Sequence, residues 1–392
     1  MIKMAIMEEA QKIKPWMVDL RRDFHMHPEP SFEEVRTSKI IARELEKMGI
    51  AVATTGRTGV IGLLKGKGTG KVIGLRADID ALSVTEDTGL PYSSKNPGYM
   101  HACGHDTHIA ELLGAAKILS ALKDKLNGSV KFIFQPAEEA ASGSDYMIEH
   151  GALENPKVDM IIGMHTFGMI ETGKVVVQKG PFMASGDEWQ LTVEGKSCHG
   201  SSPWQGVDAM PCAVAIMEGF QTIVSRFNDA RNPIVINVGT VKAGERFNVV
   251  PGKVEMTGMN RALSSNSRKM MPKWMKKIID GVCSAYGCKY DFKYKDGFKP
   301  TINDDKSTEF ARKSVAKLIG EKNIIQVGKI MGSEDFSSYL EKVPGTFMIL
   351  GDGNKEKGWM YSQHSNHFTI DENCLPIGAA VYSQMAADFL KN

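Results

Sequence analysis

The sequence contains 392 residues, more than one hydrophobic core usually organises, so two domains are expected. Hydrophobic residues make up 42% and charged residues 24%, a balance that is typical of an ordered globular protein and argues against disorder. The formal net charge of +2 gives no indication of a nucleic-acid or membrane partner. Because neither a secretory signal nor an apolar run of about 18 residues is visible, we expect a cytoplasmic protein whose cysteines are thiols or metal ligands.

Short apolar runs alternate with helical patterns over the first half of the chain. Buried strands are predicted at residues 72–75, 130–134 and 160–164, and apolar spacing predicts a helix over residues 109–119. Strands that alternate with helices indicate an α/β fold, here a mixed, mostly parallel sheet with helices on both faces. In such sheets, ligand-binding side chains gather beyond the carboxyl ends of the strands.

The pattern changes between residues 187 and 296. Strand-like alternation and helical spacing follow one another there in the order strand, helix, strand, strand, helix, strand, which is the order of a ferredoxin-like α+β unit. We therefore predict an inserted domain at residues 187–296. The other domain is expected to combine residues 1–186 and 297–392.

The strongest chemical signal is the segment 101–108, at the start of the predicted helix. It holds three histidines and one cysteine as potential metal ligands: His101, Cys103, His105 and His108. Cys103 and His105 are two residues apart, so both can reach one metal only from a turn or extended backbone, which Gly104 permits. A single Cys-x-His pair is usually accidental. The density of the cluster is what favours a metal site.

A second cluster, Glu138 and Glu139, follows the predicted strand at 130–134. Adjacent carboxylates repel each other, and at a strand end a cation or a catalytic proton would explain them, although a solvated loop pair is the more common case. Adjacent side chains point in different directions. One carboxylate could therefore bind metal while the other moves a proton.

Histidines complete the set of donors. His165 ends a predicted strand, where a lone histidine is more often a hydrogen-bonded core or rim residue, and residues 361–368 offer both His364 and His367. These thiolate, imidazole and carboxylate donors exceed one tetrahedral site, so we predict two divalent ions. Zinc or manganese is expected first, with cobalt or nickel also compatible. Phosphate-binding, dinucleotide and serine-hydrolase motifs are not found.

Taken together, the motifs resemble the M20 metallopeptidase family, in particular its aminoacylase-like amidohydrolases such as hippurate, N-acyl-amino acid and auxin-conjugate hydrolases. The resemblance runs nearly end to end, through residues 22–29, 75–82, 101–108, 135–139, 163–165, 195–199, 248–251, 332–336 and 364–365. It implies a sheet of the zinc-exopeptidase type, with the inserted domain serving as lid and dimerisation surface. A homodimer is therefore expected.

The resemblance also implies roles for individual residues. Glu138 is the general base that activates a metal-bound water and then protonates the leaving amine; Asp80 keeps a supporting role, His199 binds the oxyanion and Asn248 contacts the substrate. The implied metal ligands are Cys103 (bridging the two ions), His105, Glu139, His165 and His364. The family usually reads His-Ser-Pro near the C-terminus, whereas this chain reads His364-Ser365-Asn366-His367. Register selects His364, and His367 is the alternative.

The expected reaction is hydrolysis of the amide bond of small N-acyl-amino acids. A dipeptidase or carboxypeptidase that acts on small peptides is the alternative within enzymes. A catalytically silent ligand-binding relative is the alternative outside them, and the intact Glu138 argues against it.

Overall fold

The computed structural model describes residues 2–391, with side chains from residue 6 onward. Its helices are α1 (Ile2–Lys12), α2 (Lys14–Met26), α3 (Val35–Lys47), α4 (His105–Ala121), α5 (Gly143–Glu149), α6 (Ala209–Thr222), α7 (Ser265–Tyr286), α8 (Asp305–Ile319), α9 (Ser337–Leu340) and α10 (Cys374–Phe389). Among residues 2–391, no helix combines the length and the apolar character that a bilayer-spanning segment needs.

The strands are β1 (Ala51–Thr54), β2 (Val60–Lys65), β3 (Val72–Asp78), β4 (Ser129–Gln135), β5 (Met160–Glu171), β6 (Val175–Val176), β7 (Gly180–Met183), β8 (Gly186–Glu194), β9 (Cys198–His199), β10 (Ile234–Ala243), β11 (Val249–Val250), β12 (Lys253–Ala262), β13 (Lys289–Phe298), β14 (Thr301–Asn303), β15 (Ile324–Ile325) and β16 (Gly345–Gly353). The three strands predicted in the first half of the chain are β3, β4 and β5.

The described residues form two compact units. The first unit contains the described residues up to Gly180, Ile302–Gly328 and the described residues from Ser338 onward. The second unit contains Pro181–Thr301 and Lys329–Ser337.

The first unit is built on an eight-stranded sheet of order β1-β2-β4-β3-β5-β16-β6-β15. Its four central strands, β4, β3, β5 and β16, are mutually parallel, whereas β1, β2 and β6 introduce antiparallel pairs. Every residue of β3 and β16 is buried, as strands covered on both faces require. The predicted mixed, mostly parallel α/β fold is confirmed.

Helix α4 lies in the core of the first unit. Its residues His105–Ala116 are all buried, and it packs against α2 and α10. Buried α10 is similarly apolar. The apolar spacing over 109–119 misses the first turn of α4, because the four residues 105–108 are polar although they are buried.

The second unit has a four-stranded antiparallel sheet of order β10-β12-β8-β13, with α6 and α7 on it. Alternate residues of β8 are buried, so Trp189, Leu191 and Val193 join Phe220 and Met275 in a separate core. Along the chain the order is β8-α6-β10-β12-α7-β13, which is the ferredoxin-like order predicted from periodicity.

Candidate metal centre

The predicted ligands of the first unit converge at one end of its central sheet. Asp78 ends β3 and pairs in register with Gln135, the last residue of β4, while His165 lies in β5 beside them. Parallel strands present their carboxyl ends at one edge of the sheet. One ligand atom each from Cys103, Glu139 and His364 lies within 4.8 Å of the others, and the same holds for His105, Glu138 and Glu139.

A left-handed turn at Gly104 starts α4 and places Cys103 and His105 in these groups. Gly104 has φ +92°, and a Cβ atom there would lie 2.6 Å from Oγ1 of Thr166. Both the dihedral angle and the space therefore require glycine. Cys103 and His105 are both buried.

In both His105 and His165, a contact of ring nitrogen Nδ1 fixes the direction of the second ring nitrogen, Nε2. Nδ1 of His105 contacts the carbonyl oxygen of Asp80 at 2.8 Å, and Nδ1 of His165 contacts that of Thr166. Because a carbonyl oxygen only accepts, each Nδ1 carries a proton, and in the neutral ring each Nε2 keeps a free lone pair. Nε2 of His165 lies 3.4 Å from Sγ of Cys103, and Nε2 of His105 makes no hydrogen bond within the described residues.

The structure separates the two C-terminal candidates. His364 has φ +65°, its backbone N–H donates to the carbonyl of Ala102 at 2.8 Å, and its Nε2 lies 3.4 Å from Oε1 of Glu139. His367 instead directs Nδ1 at the carbonyl of Asp87 and belongs to none of the ligand groups found among the described residues. A non-glycine residue at positive φ is strained by about 1–3 kcal/mol, so local contacts must hold His364 in place.

Asp80 connects the two carboxylates to the α4 turn. Its Oδ1 and Oδ2 accept the backbone N–H groups of Glu138 and Glu139, both at 3.1 Å, and its carbonyl oxygen accepts Nδ1–H of His105. Burial would raise the pKa of Asp80, but the hydrogen bond and charge of His105, together with the hydrogen bond from Ser31, outweigh it, and the pKa is lowered. Asp80 is thus an ionised anchor for three neighbouring residues rather than a ligand candidate.

A second anchor, which the sequence did not reveal, consists of Asp78 and His108. Nδ1 of His108 faces Asp78, whereas Nε2 accepts the backbone N–H of Thr166 at 2.8 Å. Both ring nitrogens are therefore engaged, so His108 is a support for β5 although it lies close to His105 and His165. Nη1 of Arg76 donates a hydrogen bond to Oδ2 of Asp78 at 2.7 Å. The sequence signals for this pair were the spacing Asp78-x-Asp80 and the position of His108 in the 101–108 cluster, and neither indicates that the two side chains meet.

The residues fit a pair of divalent cations. Buried Nε2 of His105 and Oε1 of Glu139 have no hydrogen-bond partner within the described residues, which is costly unless a cation faces them. Burial, together with the charges of Glu139 and Glu138, raises the pKa of the Cys103 thiol, and a bound cation would reverse that effect. Burial also lowers the pKa of His165, so its imidazole is neutral, as a ligand must be.

Residues 74–388 match the family described as Peptidase family M20/M25/M40. The chain is a member of this family.

Its relatives include Thermostable carboxypeptidase 1 of Saccharolobus solfataricus, which is 36% identical over 97% of both chains. N-acetylcysteine deacetylase of Bacillus subtilis is 37% identical over 96% of this chain and 97% of its own. A dinuclear metal-binding M20 peptidase of Bacillus subtilis has a crystal structure that superposes with a TM-score of 0.85, at 34% identity over 97% of this chain and 99% of the other. The M20 chain described here is accordingly a hydrolase, and the predicted family is confirmed.

His199 and Asn248 lie in the second unit of this M20 hydrolase. β9 pairs with β11, so that His199 is opposite Val249, and the carbonyl of Asn248 accepts the N–H of Gly200 at 2.8 Å. Nδ1 of the exposed His199 accepts the backbone N–H of Ser201 at 3.1 Å, which places the proton of the neutral ring on Nε2. The two residues are neighbours, and Nε2–H of His199 is a ready donor.

Next to the candidate metal centre of the M20 hydrolase, a buried ionic network holds the first turn of α4. Asp106 Oδ2 lies 2.8 Å from both Nε of Arg21 and Nδ1 of His25, and Nε2 of His25 lies 3.3 Å from Oε1 of Glu86. Arg21, His25 and Asp106 are completely buried. The network fixes the helix beside His105, and its members come from segments far apart in the sequence.

We expect Glu86→Gln to lower the melting temperature at pH 7 by a few degrees. Burial raises the pKa of Glu86, but the hydrogen bond and charge of His25 bring it down to about 2, below its ordinary value of 4.5. Because its pKa is lowered in the folded protein, ionised Glu86 stabilises the fold fully above pH 4.5. This contribution disappears as the pH falls through about 2. Thermal melts should therefore converge for variant and wild type in acid.

The control for this prediction is Glu46→Gln, which changes an exposed glutamate of α3. It should leave the melting temperature unchanged across the same pH range. A difference between Glu86→Gln and wild type that stays constant from neutral pH into acid would contradict the assigned role of the Glu86 charge.

Proposed function

We propose that this M20 hydrolase cleaves the amide bond of small N-acyl-amino acids, with Glu138 as general base and then general acid. The observation that carries the proposal is the position of Glu138. Its side chain is 5% exposed, and one of its carboxylate oxygens lies within 4.8 Å of ligand atoms of His105 and Glu139. Its own backbone is fixed by Asp80. A general base must be within reach of the water that it deprotonates.

The residues that would hold two divalent ions are Cys103, His105, Glu139, His165 and His364. Ions bound there would polarise the scissile carbonyl and make a water molecule acidic near neutral pH. Glu138 takes a proton from the attacking water as the new carbon–oxygen bond forms. It then delivers that proton to the amide nitrogen as the carbon–nitrogen bond breaks, so that the products are a carboxylic acid and a free amine.

Three further residues have supporting roles in the proposal. Asp80 keeps the two glutamates and His105 in register. His199 donates from Nε2 to the oxyanion of the tetrahedral intermediate, and Asn248 contacts the substrate. The unpartnered Oδ1 atom of Asn248, which is shielded from solvent among the described residues, supports a role in binding. The homodimer and the cytoplasmic location stay predictions.

Small peptides are the alternative substrates. The relative from Saccharolobus solfataricus is named a carboxypeptidase. Hydrolysis of a peptide bond requires the same chemistry as hydrolysis of an N-acyl amide. N-acyl-amino acids come first because relatives of comparable identity are named N-acetylcysteine deacetylase and N-acyl-L-amino acid amidohydrolase. The two hypotheses differ in the acyl group, which carries a free α-amine in a dipeptide and no amine in an N-acetyl or N-benzoyl amino acid.

The test is a substrate panel assayed with metal-stripped protein and with protein reloaded with zinc, manganese, cobalt or nickel. We expect free amino acid to be released from N-acetyl and N-benzoyl amino acids only after reloading, with zinc or manganese most effective. Faster cleavage of the matching dipeptides would establish the peptidase alternative. Full activity in protein shown to hold no metal would overturn the mechanism.

A further inference from the structure

The turn that carries Glu138 and Glu139 has a strained backbone. It directly follows β4, and we call residues 136–139 the glutamate turn. Ala137 has φ +53°, a left-handed conformation that disfavours any residue with a Cβ atom. Gly143 packs so closely on this turn that a Cβ atom there would lie 1.7 Å from the carbonyl oxygen of Pro136. Contacts from elsewhere must hold the turn in this shape.

Two carboxylates from distant segments bind three successive backbone N–H groups of the glutamate turn. Oε1 of Glu34 accepts the N–H of Ala137 at 2.9 Å, and Asp80 accepts those of Glu138 and Glu139. Successive N–H groups of this kind form a concave anion-binding nest. Here the anions are side chains of the same protein, and the one at the strained residue is Glu34.

Contacts with its own helix do not explain why the Glu34 side chain lies against the glutamate turn. It immediately precedes α3, where a carboxylate usually caps its own helix, yet its side chain makes no capping hydrogen bond. Glu29 caps α3 instead, by accepting hydrogen bonds from the backbone N–H groups of Arg36 and Thr37 at 2.9 and 2.8 Å. The completely buried Glu34 carboxylate is directed instead to Ala137 and to the hydroxyl of Thr58.

Burying this carboxylate is unfavourable. Burial raises the pKa of Glu34 to about 7, so the charged form is disfavoured by its surroundings. An unfavourably buried carboxylate is expected where it determines the shape of a neighbouring segment, which here is the glutamate turn.

We propose that Glu34 is a positioning residue of the active site, which sets the direction of Glu138 and Glu139 by holding the strained Ala137 backbone. This inference rests on the proposed function for the roles of the two glutamates. Without the Glu34 acceptor, Ala137 can relax to negative φ, and both following side chains then turn away from the ligand groups. Asp80 binds only the two later N–H groups, and the N–H of Gly143 binds only the carbonyl oxygen of Ala137, at 3.1 Å, so neither replaces the acceptor of the Ala137 N–H.

The experiment compares Glu34→Ala and Glu34→Gln in the metal-loaded, full-length protein. Three quantities are measured: hydrogen exchange of the backbone amides in residues 135–143, the affinity for zinc, and the kcat and KM of hydrolysis. Gln keeps an oxygen that can accept from Ala137, and its amide group can donate to the Thr58 hydroxyl.

For Glu34→Ala we expect faster exchange in residues 135–143, zinc affinity weakened by about 10- to 100-fold, and kcat lowered by a similar factor with little change in KM. Glu34→Gln should restore all three. The matched control is Glu29→Gln, which alters a carboxylate of the same segment that binds α3 and not the glutamate turn. It should leave exchange in residues 135–143 and zinc affinity unchanged.

Unchanged exchange and zinc affinity in a folded Glu34→Ala protein would overturn the inference. If Glu34→Ala does not fold, Glu34→Asp, which withdraws the carboxylate by one methylene, carries the same expectations and the same refutation. Exchange and zinc affinity need no substrate. A chain that hydrolyses no N-acyl-amino acid would therefore refute the proposed function while leaving this inference to stand or fall by those two measurements.

Discussion

Glu138→Gln is expected to lower kcat for hydrolysis by about 10²- to 10⁴-fold while metal content and melting temperature stay at wild-type values. The amide of Gln has nearly the shape of the carboxylate but cannot accept the proton of the attacking water. Its backbone N–H still donates to Asp80, so the glutamate turn keeps its support. Release of free amino acid, metal analysis and a thermal melt measure the three quantities on one preparation.

The control for Glu138→Gln is Glu149→Gln, an exposed glutamate at the end of α5. Its kcat should equal that of wild type. If Glu138→Gln retained more than about a tenth of the wild-type kcat, the proton would have to move through another group, and the proposed mechanism would be wrong. Loss of metal together with activity would instead place Glu138 among the ligands.

The second large effect is expected from the C-terminal histidines, which form a matched pair within one short segment. His364→Ala should reduce the metal bound per chain and lower kcat/KM by more than about 100-fold, since losing a direct ligand should exceed the 10- to 100-fold effect of losing an outer partner. His364 lies beside Glu139, whereas His367 faces Asp87. His367→Ala should therefore bind the full amount of metal and keep its activity.

Both variants remove a side chain that is about half exposed, 55% for His364 and 49% for His367, so similar and small effects on stability are expected. Differences between them thus report on metal binding rather than on stability. The reverse result, with metal lost only in His367→Ala, would show that the ligand is the histidine that family register did not select. Full metal content in both variants would exclude His364 as a ligand.

Much of this protein was predictable from the sequence alone. The apolar runs gave β3, β4 and β5 because strands covered on both faces must be apolar throughout. Their carboxyl ends then located the chemistry, since Glu138 and Glu139 follow β4 within a few residues and parallel strands end at one edge. Alternation along β8 and the order of the following elements likewise predicted the ferredoxin-like unit, because a half-exposed strand has a period of two.

Other features depended on contacts between distant residues, which no local pattern records. Asp80 and Glu138 are 58 positions apart, and Glu34 and Ala137 are 103 positions apart, yet their hydrogen bonds shape the glutamate turn. Sequence clustering made His108 a ligand candidate, and only its two hydrogen bonds in the fold show that both ring nitrogens are engaged. The choice between His364 and His367 likewise depends on a left-handed backbone held by Ala102. Periodicity shows which faces of a helix or strand are buried. Hydrogen-bond partners and positive φ angles are decided by the tertiary structure, because a buried polar group can bond only to the partner that the fold places beside it.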